Sequence, residues 1–222
     1  MIERDISSCL KKLAGKYPIV TVTGPRQSGK TTLVKAVFPA KAYVNLESLE
    51  DREFAQSDPL GFFHRLPDGA ILDEVQRVPS LLSYIQTIVD ARKQNGLFVL
   101  TGSCQFELMS SISQSLAGRT AMLKLLPLSL SEIGSIAKKP GEIDDTIHRG
   151  FYPRVIDQDL DPAQAYGDYF ETYVERDLRQ LVHVRNLSQF QKFVRLCAGR
   201  IGQLVNLSSL GNDIGLTHTA VR

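Results

Sequence analysis

The chain has 222 residues, 43% of them hydrophobic and 23% charged, with 26 basic against 24 acidic side chains. That mix excludes a disordered, collagen-like or disulfide-stapled protein, and a chain of this length buries roughly 70% of its unfolded surface without help from a metal or a cross-link. A net charge of +2 supplies no overall field to recruit nucleic acid or an anionic membrane, so either partner has to be argued from a local site.

Ile2, Ile6, Cys9, Leu10 and Leu13 recur at helical spacing and Gly15 supplies a stop, which predicts a short opening helix. Residues 19–23 are β-branched throughout and few in number, which suits a buried parallel strand, and run into a glycine-bearing loop and a helix from Lys30. Further strands are predicted at 42–46, 70–72, 97–100 and 123–126, with helices at 49–64, broken near Pro59, and at 80–93. This alternation predicts an α/β fold: a mostly parallel sheet flanked by helices, with ligands at the carboxyl ends of its strands. Pro127, Pro140 and Pro153 punctuate a looser region, and from Asp161 the periodicity is helical. Three segments are expected: a core over 1–135, a helical lid-like subdomain over 136–203, and the start of a helix-turn-helix over 204–222. In the last, a helix carrying Leu207 and Leu210 is followed by a turn at 213–216 and by a second helix capped by Thr217. With Arg222 the only basic residue there, the tail is weakly suited to DNA, and helix-turn-helix geometry also serves protein contacts.

Cys9, Cys104 and Cys197 form an odd set without metal-ligand spacing, which predicts neither a zinc site nor a disulfide framework. The charged start Met-Ile-Glu-Arg-Asp lacks the pattern of a signal peptide, and no apolar run approaches the length of a membrane span. A cytoplasmic protein without membrane association is the expectation.

Gly24-Pro25-Arg26-Gln27-Ser28-Gly29-Lys30-Thr31 matches G-x-x-x-x-G-K-[ST] and lies between a buried strand and a helix start, where its mechanism requires. Glycines let backbone N–H groups curl toward phosphates, the helix terminus adds partial positive charge, Lys30 reaches the β- and γ-phosphates, and the Thr31 hydroxyl ligates Mg²⁺. Thr32 completes the phosphate-binding set. The strand at 70–72 ends in Asp73-Glu74, which places Asp73 beside the metal in the manner of a Walker B aspartate. Glu74 is then the base that takes a proton from attacking water, which favours hydrolysis over transfer to a small-molecule hydroxyl. Taken alone, the same pair would be a solvated acidic strand end.

Thr101 and, second, Ser103 end the strand at 97–100. They serve either as sensors of the γ-phosphate or as caps of an ordinary strand-end turn. Arg26, Arg119, Arg154 and Arg176 are the candidates for stabilising charge on the leaving phosphate, with Arg119 expected to return to the same end of the sheet. For Arg176 and Arg179, ion pairing on a helix surface is the ordinary reading. No N-K-x-D string follows, which argues against a guanine-reading GTPase.

Together these residues resemble the AAA family-14 ATPases, a P-loop NTPase group of the ASCE and AAA type usually followed by a DUF4143 domain. The resemblance runs through Thr23–Leu33, Leu72-Asp73-Glu74-Val75-Gln76, Leu100-Thr101-Gly102-Ser103, Leu116-Ala117-Gly118-Arg119, Pro127-Leu128-Ser129, Tyr152-Pro153-Arg154 and Tyr173-Val174-Glu175-Arg176-Asp177. Ala198-Gly199-Arg200-Ile201-Gly202-Gln203 is similar to the junction into the DUF4143 region, while Phe151 and Cys104 depart mildly from the pattern. The resemblance implies binding and hydrolysis of ATP with Mg²⁺, coupled to a conformational change. Self-association or a protein partner is compatible with it. The alternative is a nucleotide-gated DNA- or protein-binding module that hydrolyses little or nothing.

Overall fold

The computed structural model describes residues 2–103, 112, 115–134, 143–178 and 187–215. Cys104, Arg179 and residues 216–222 lie outside them, as do the side chains of Arg176 and its neighbours from Tyr173. The expected second helix of the tail therefore falls outside the described residues.

The chain divides into two compact units, Met1–Leu160 and Asp161–Arg222. In chain order the first unit carries α1 (Ser7–Ala14), β1 (Ile19–Gly24), α2 (Lys30–Val37), β2 (Ala42–Asn45), α3 (Leu49–Ser57), α4 (Pro59–His64) and β3 (Ala70–Asp73). After a 3₁₀ turn at Val75–Arg77 come α5 (Leu81–Arg92), β4 (Phe98–Ser103), β5 (Thr120–Lys124), α6 (Leu130–Gly134), α7 (Ile143–Arg149) and α8 (Pro153–Asp157).

The strands form one parallel sheet in the order β2-β3-β4-β1-β5. β1, β3 and β4 are buried along their whole length because both sheet faces are covered, and period-two alternation deals their side chains to opposite sides. Val20, Val22, Ile71 and Val99 meet Leu10, Leu33 and Val34 of α1 and α2. Ile19, Leu72, Phe98 and Leu100 meet Phe62, Phe63, Leu81 and Ile85 of α4 and α5. At roughly 1.5–3 kcal/mol for each fully buried large aliphatic or aromatic side chain, these two layers are the main force holding the sheet between its helices.

Two expectations are corrected. The fifth strand begins at Thr120, not 123: it is an edge strand whose Ala121 and Leu123 face the core while Met122 and Lys124 face outward, and that alternation hides it from a search for continuous apolar runs. Leu125 still donates its N–H to the Thr23 carbonyl at 2.7 Å, whereas Leu126 is exposed. The first unit also continues past residue 135, since Leu128 donates its N–H to the Phe151 carbonyl and Val155 is buried.

The second unit contains α9 (Pro162–Leu178), α10 (Leu187–Ala198) and α11 (Leu207–Ile214). The Asn206 side chain caps α11 by accepting from Ser209 N at 2.9 Å, and Gly215 ends it in the left-handed conformation. Arg200 pairs with Asp213 across the α10–α11 connection. Among the described residues, no helix is long and apolar enough to cross a membrane.

Candidate functional site

β1 delivers the chain into the loop at 24–31. Gly24 has φ 156°, and a Cβ on it would run into the Leu125 carbonyl oxygen, so no other residue fits where β1 leaves β5. Gly29 at φ 89° turns the chain left-handed immediately before α2. Ser28 donates its N–H to the Pro25 carbonyl at 3.4 Å, closing the loop on itself. Lys30 is 6% exposed and its Nζ donates to the carbonyls of Gly24 at 3.1 Å and Pro25 at 2.9 Å, which holds the ammonium across the loop's mouth. Ser28 Oγ is buried with no hydrogen-bond partner, an unsatisfied hydroxyl inside a concave run of amides. Pro25 and Arg26 are half-buried, and Gln27 (φ 59°) and Thr32 are exposed along the loop and first helical turn.

Opposite the loop, Asp73 ends β3 and is 4% exposed. Three hydroxyls converge on it: Thr31 Oγ1 and Tyr43 Oη each donate to Oδ2 at 2.8 Å, and Thr101 Oγ1 donates to Oδ1. β4 lies between β1 and β3, so Thr101 reaches the same carboxylate as Thr31 from the middle of the sheet. Tyr43 comes from β2, on the far side of β3, and its ring carries the Lys35 ammonium 3.5 Å from its centroid. Burial, then the hydrogen bond to Asp73 and the nearby charges of Asp73, Glu74 and Glu47, push its phenol well above the usual value, so it stays a donor.

Glu74 follows in the left-handed conformation, φ 57° and ψ 44°. Its carboxylate accepts from Gln76 Nε2, which also donates to Ser103 Oγ at 3.2 Å, so one amide ties the end of β3 to the end of β4. Gln76 Oε1 is buried without a partner.

Residues 16–134 match AAA_14, an AAA domain. The chain belongs to this family. An uncharacterized protein of Mycobacterium tuberculosis is 29% identical over 221 residues, covering 99% of this chain and 49% of that protein. One of Haemophilus influenzae is 25% identical, covering 88% of this chain and 55% of that protein. The chain thus spans about half the length of the curated relatives it matches. In fold it is similar to the Walker-type ATPase of Pyrococcus abyssi, with a TM-score of 0.52 at 13% identity over 97% of this chain and 89% of that one. Residues 141–222 match DUF8612, a domain of unknown function, and not the DUF4143 region expected to follow. The short landmarks at 198–203 specify a helix end and a turn, which helical regions of many kinds share.

In this AAA domain, the expectation that Arg119 shares the phosphate-loop end of the sheet is corrected. The Arg119 carbonyl accepts from Ile19 N at the start of β1, and its guanidinium forms a forked pair with Asp90, Nε to Oδ1 at 2.6 Å and Nη2 to Oδ2 at 2.8 Å. The reason is strand direction: β5 runs parallel to β1, so the residue before β5 sits at the amino edge, opposite the loop. Arg154 is exposed on α8, with Nε donating to Gln158 Oε1 at 3.2 Å. It lines a cavity of about 840 Å³ beside the outer wall of the loop, together with Gln27, Gly29, Thr32, Arg4 and Pro153.

The AAA domain's donor set fits a small hard cation: one carboxylate and one hydroxyl, already 2.8 Å apart at Thr31 and Asp73, is the sparse protein contribution that Mg²⁺ takes alongside phosphate oxygens and water. Among the described residues, no cluster of three or more His, Cys, Asp or Glu side chains forms an all-protein metal cage. Nothing in the sequence around Tyr43 or Arg4 marks either residue as part of the site. Only the knowledge that β2 borders β3 would have placed a tyrosine hydroxyl on Asp73.

Proposed function

We propose that this chain binds ATP with Mg²⁺ and hydrolyses it, with the AAA domain acting as a nucleotide-dependent switch. The observation that carries this reading is the hydrogen bond of 2.8 Å between Thr31 and Asp73, which joins a phosphate loop to the acidic end of β3. Ser28 Oγ and the Lys30 ammonium, which now rests on the loop's own carbonyls, are the groups released to meet phosphate oxygens. Thr31 and Asp73 would hold the metal, whose charge offsets that of the β- and γ-phosphate oxygens. Glu74 takes the proton of the attacking water, and Thr101, hydrogen-bonded to Asp73, senses the γ-phosphate. The cavity bounded by Gln27, Thr32 and Arg154 supplies space for the nucleoside.

The Gln76 tie favours a second reading, a nucleotide-gated binding module with little turnover, because it engages the carboxylate that must act as base. Steady-state turnover with and without duplex DNA, alongside nucleotide titration, separates the two. Under the leading reading, Lys30→Ala abolishes binding, and Glu74→Gln binds normally but slows hydrolysis roughly 10²-fold. Undiminished hydrolysis by Glu74→Gln would remove that residue from the mechanism.

A further inference from the structure

Arg4 lies in the segment before α1, far in sequence from every motif, yet it is 8% exposed and its guanidinium is almost fully engaged. Nε donates to Glu132 Oε1 at 3.0 Å, Nη1 to the Ser28 carbonyl at 2.8 Å, and Nη2 to the carbonyls of Leu126 at 2.7 Å and Pro127 at 3.2 Å. Glu132, itself 6% exposed, is fixed in turn: Oε1 accepts from Asp5 N at 2.9 Å and Oε2 from Ser129 N at 2.8 Å. Ser129 Oγ accepts from Glu132 N at 3.2 Å, so Ser129 and Glu132 form a reciprocal capping box at the start of α6. One planar fork thus fastens the phosphate loop to the exit of β5 and to α6, a pattern that the point charge of lysine cannot reproduce.

The contact with Ser28 has a consequence inside the loop. In a trans peptide the C=O and the next N–H lie in one plane and point in opposite directions across the C–N bond. Anchoring the Ser28 carbonyl outward on Arg4 therefore turns the Gly29 N–H to the other side, away from the N-terminal segment. The guanidinium lies close against Gly29, where a Cβ would stand 3.6 Å from Nη1.

Building on the nucleotide reading above, we propose that Arg4, locked by Glu132, is a positioning residue of the phosphate cradle: it sets the Ser28–Gly29 peptide so that the Gly29 amide faces the bound phosphate. Arg4 borders the cavity beside the loop, but its guanidinium is taken up by Glu132 and by the carbonyls of Ser28, Leu126 and Pro127. It acts through the backbone of the loop, and the ion pair with Glu132 fixes its orientation so that the amide is aimed before ligand arrives.

The test is titration of the full chain with two probes, the non-hydrolysable analogue AMPPNP with Mg²⁺ and inorganic tripolyphosphate with Mg²⁺. Arg4→Lys and Glu132→Gln should each weaken both probes about tenfold, because the defect lies in the part of the site that holds phosphate. Val89→Ala truncates a buried α5 side chain in the core and controls for lost stability, so it should bind both probes as the wild type does. In the wild type, the Gly29 amide proton should shift downfield on saturation with tripolyphosphate, a readout that needs no variant to fold. Binding by both variants within twofold of wild type overturns the proposal, as does a saturable wild-type complex with an unmoved Gly29 amide. Weakening confined to AMPPNP also overturns it, since that places Arg4 at the nucleoside. A wild type that binds neither probe overturns the nucleotide reading itself.

Discussion

Tyr43→Phe isolates one hydroxyl. The phenylalanine ring keeps the platform under the Lys35 ammonium and removes only the donor that reaches Asp73 Oδ2 at 2.8 Å. A hydrogen bond to an ionised acceptor contributes roughly 1.5–3 kcal/mol. Asp73 retains Thr31 and Thr101 as donors and Tyr43 is only half-buried, so the low end applies, about 1.5 kcal/mol. For a chain of this size, that lowers the thermal midpoint by about 3–6 °C. The assay is thermal unfolding without nucleotide, extended to a double-mutant cycle with Asp73→Asn. The two substitutions should be coupled by about 1 kcal/mol or more, because they remove two ends of one interaction. A midpoint lowered by less than about 1 °C, or strict additivity, would refute the assignment of Tyr43 to the Asp73 carboxylate.

Gly24→Ala forces a Cβ into the Leu125 carbonyl and should unfasten β1 from β5, seen as a large drop in melting temperature; Gly134→Ala, in open space on α6, should leave it unchanged or slightly raised. Arg119→Ala should leave nucleotide turnover within about twofold of wild type, since Arg119 stands at the amino edge of the sheet paired to Asp90, and a larger loss would reinstate it at the site. The Glu132 carboxyl feels burial pushing it up, but the Ser129 and Asp5 amides and the facing Arg4 charge outweigh that and hold it below the usual range. Its stabilising contribution is therefore complete above the unfolded value of about 4.3 and is lost as pH falls through the lower folded value. The melting-temperature gap between wild type and Glu132→Gln should accordingly be widest near about pH 7 and close toward about pH 3; a constant gap would contradict this.

The phosphate loop and Asp73 were readable because each is a contiguous string whose chemistry depends on local backbone geometry. β3 and β4 were readable because burial on both faces makes their apolar runs continuous, and β1 because it is β-branched from Ile19 to Thr23. β5 was misplaced for the converse reason, its edge position giving an alternating pattern. Tyr43, Arg4 and Gln76 depend on partners brought near by sheet order and loop closure, and nothing local to an isolated tyrosine or arginine announces such a partner. Arg119 shows the same limit from the other side: its place just before the fifth strand suggests a return to the site, whereas strand polarity puts it at the far edge.

The strand order carries a consequence for biosynthesis. Ile19 of β1 registers against Phe98 of β4 and Thr120 of β5, both of which leave the ribosome long after the phosphate loop does. An emerging chain therefore holds β1 and the loop at 24–31 without a flanking strand until β4 is delivered, and the closing of so distant a pairing is slow. A stall in translation before Phe98 therefore yields a product with the complete loop motif and neither of the strands that flank β1.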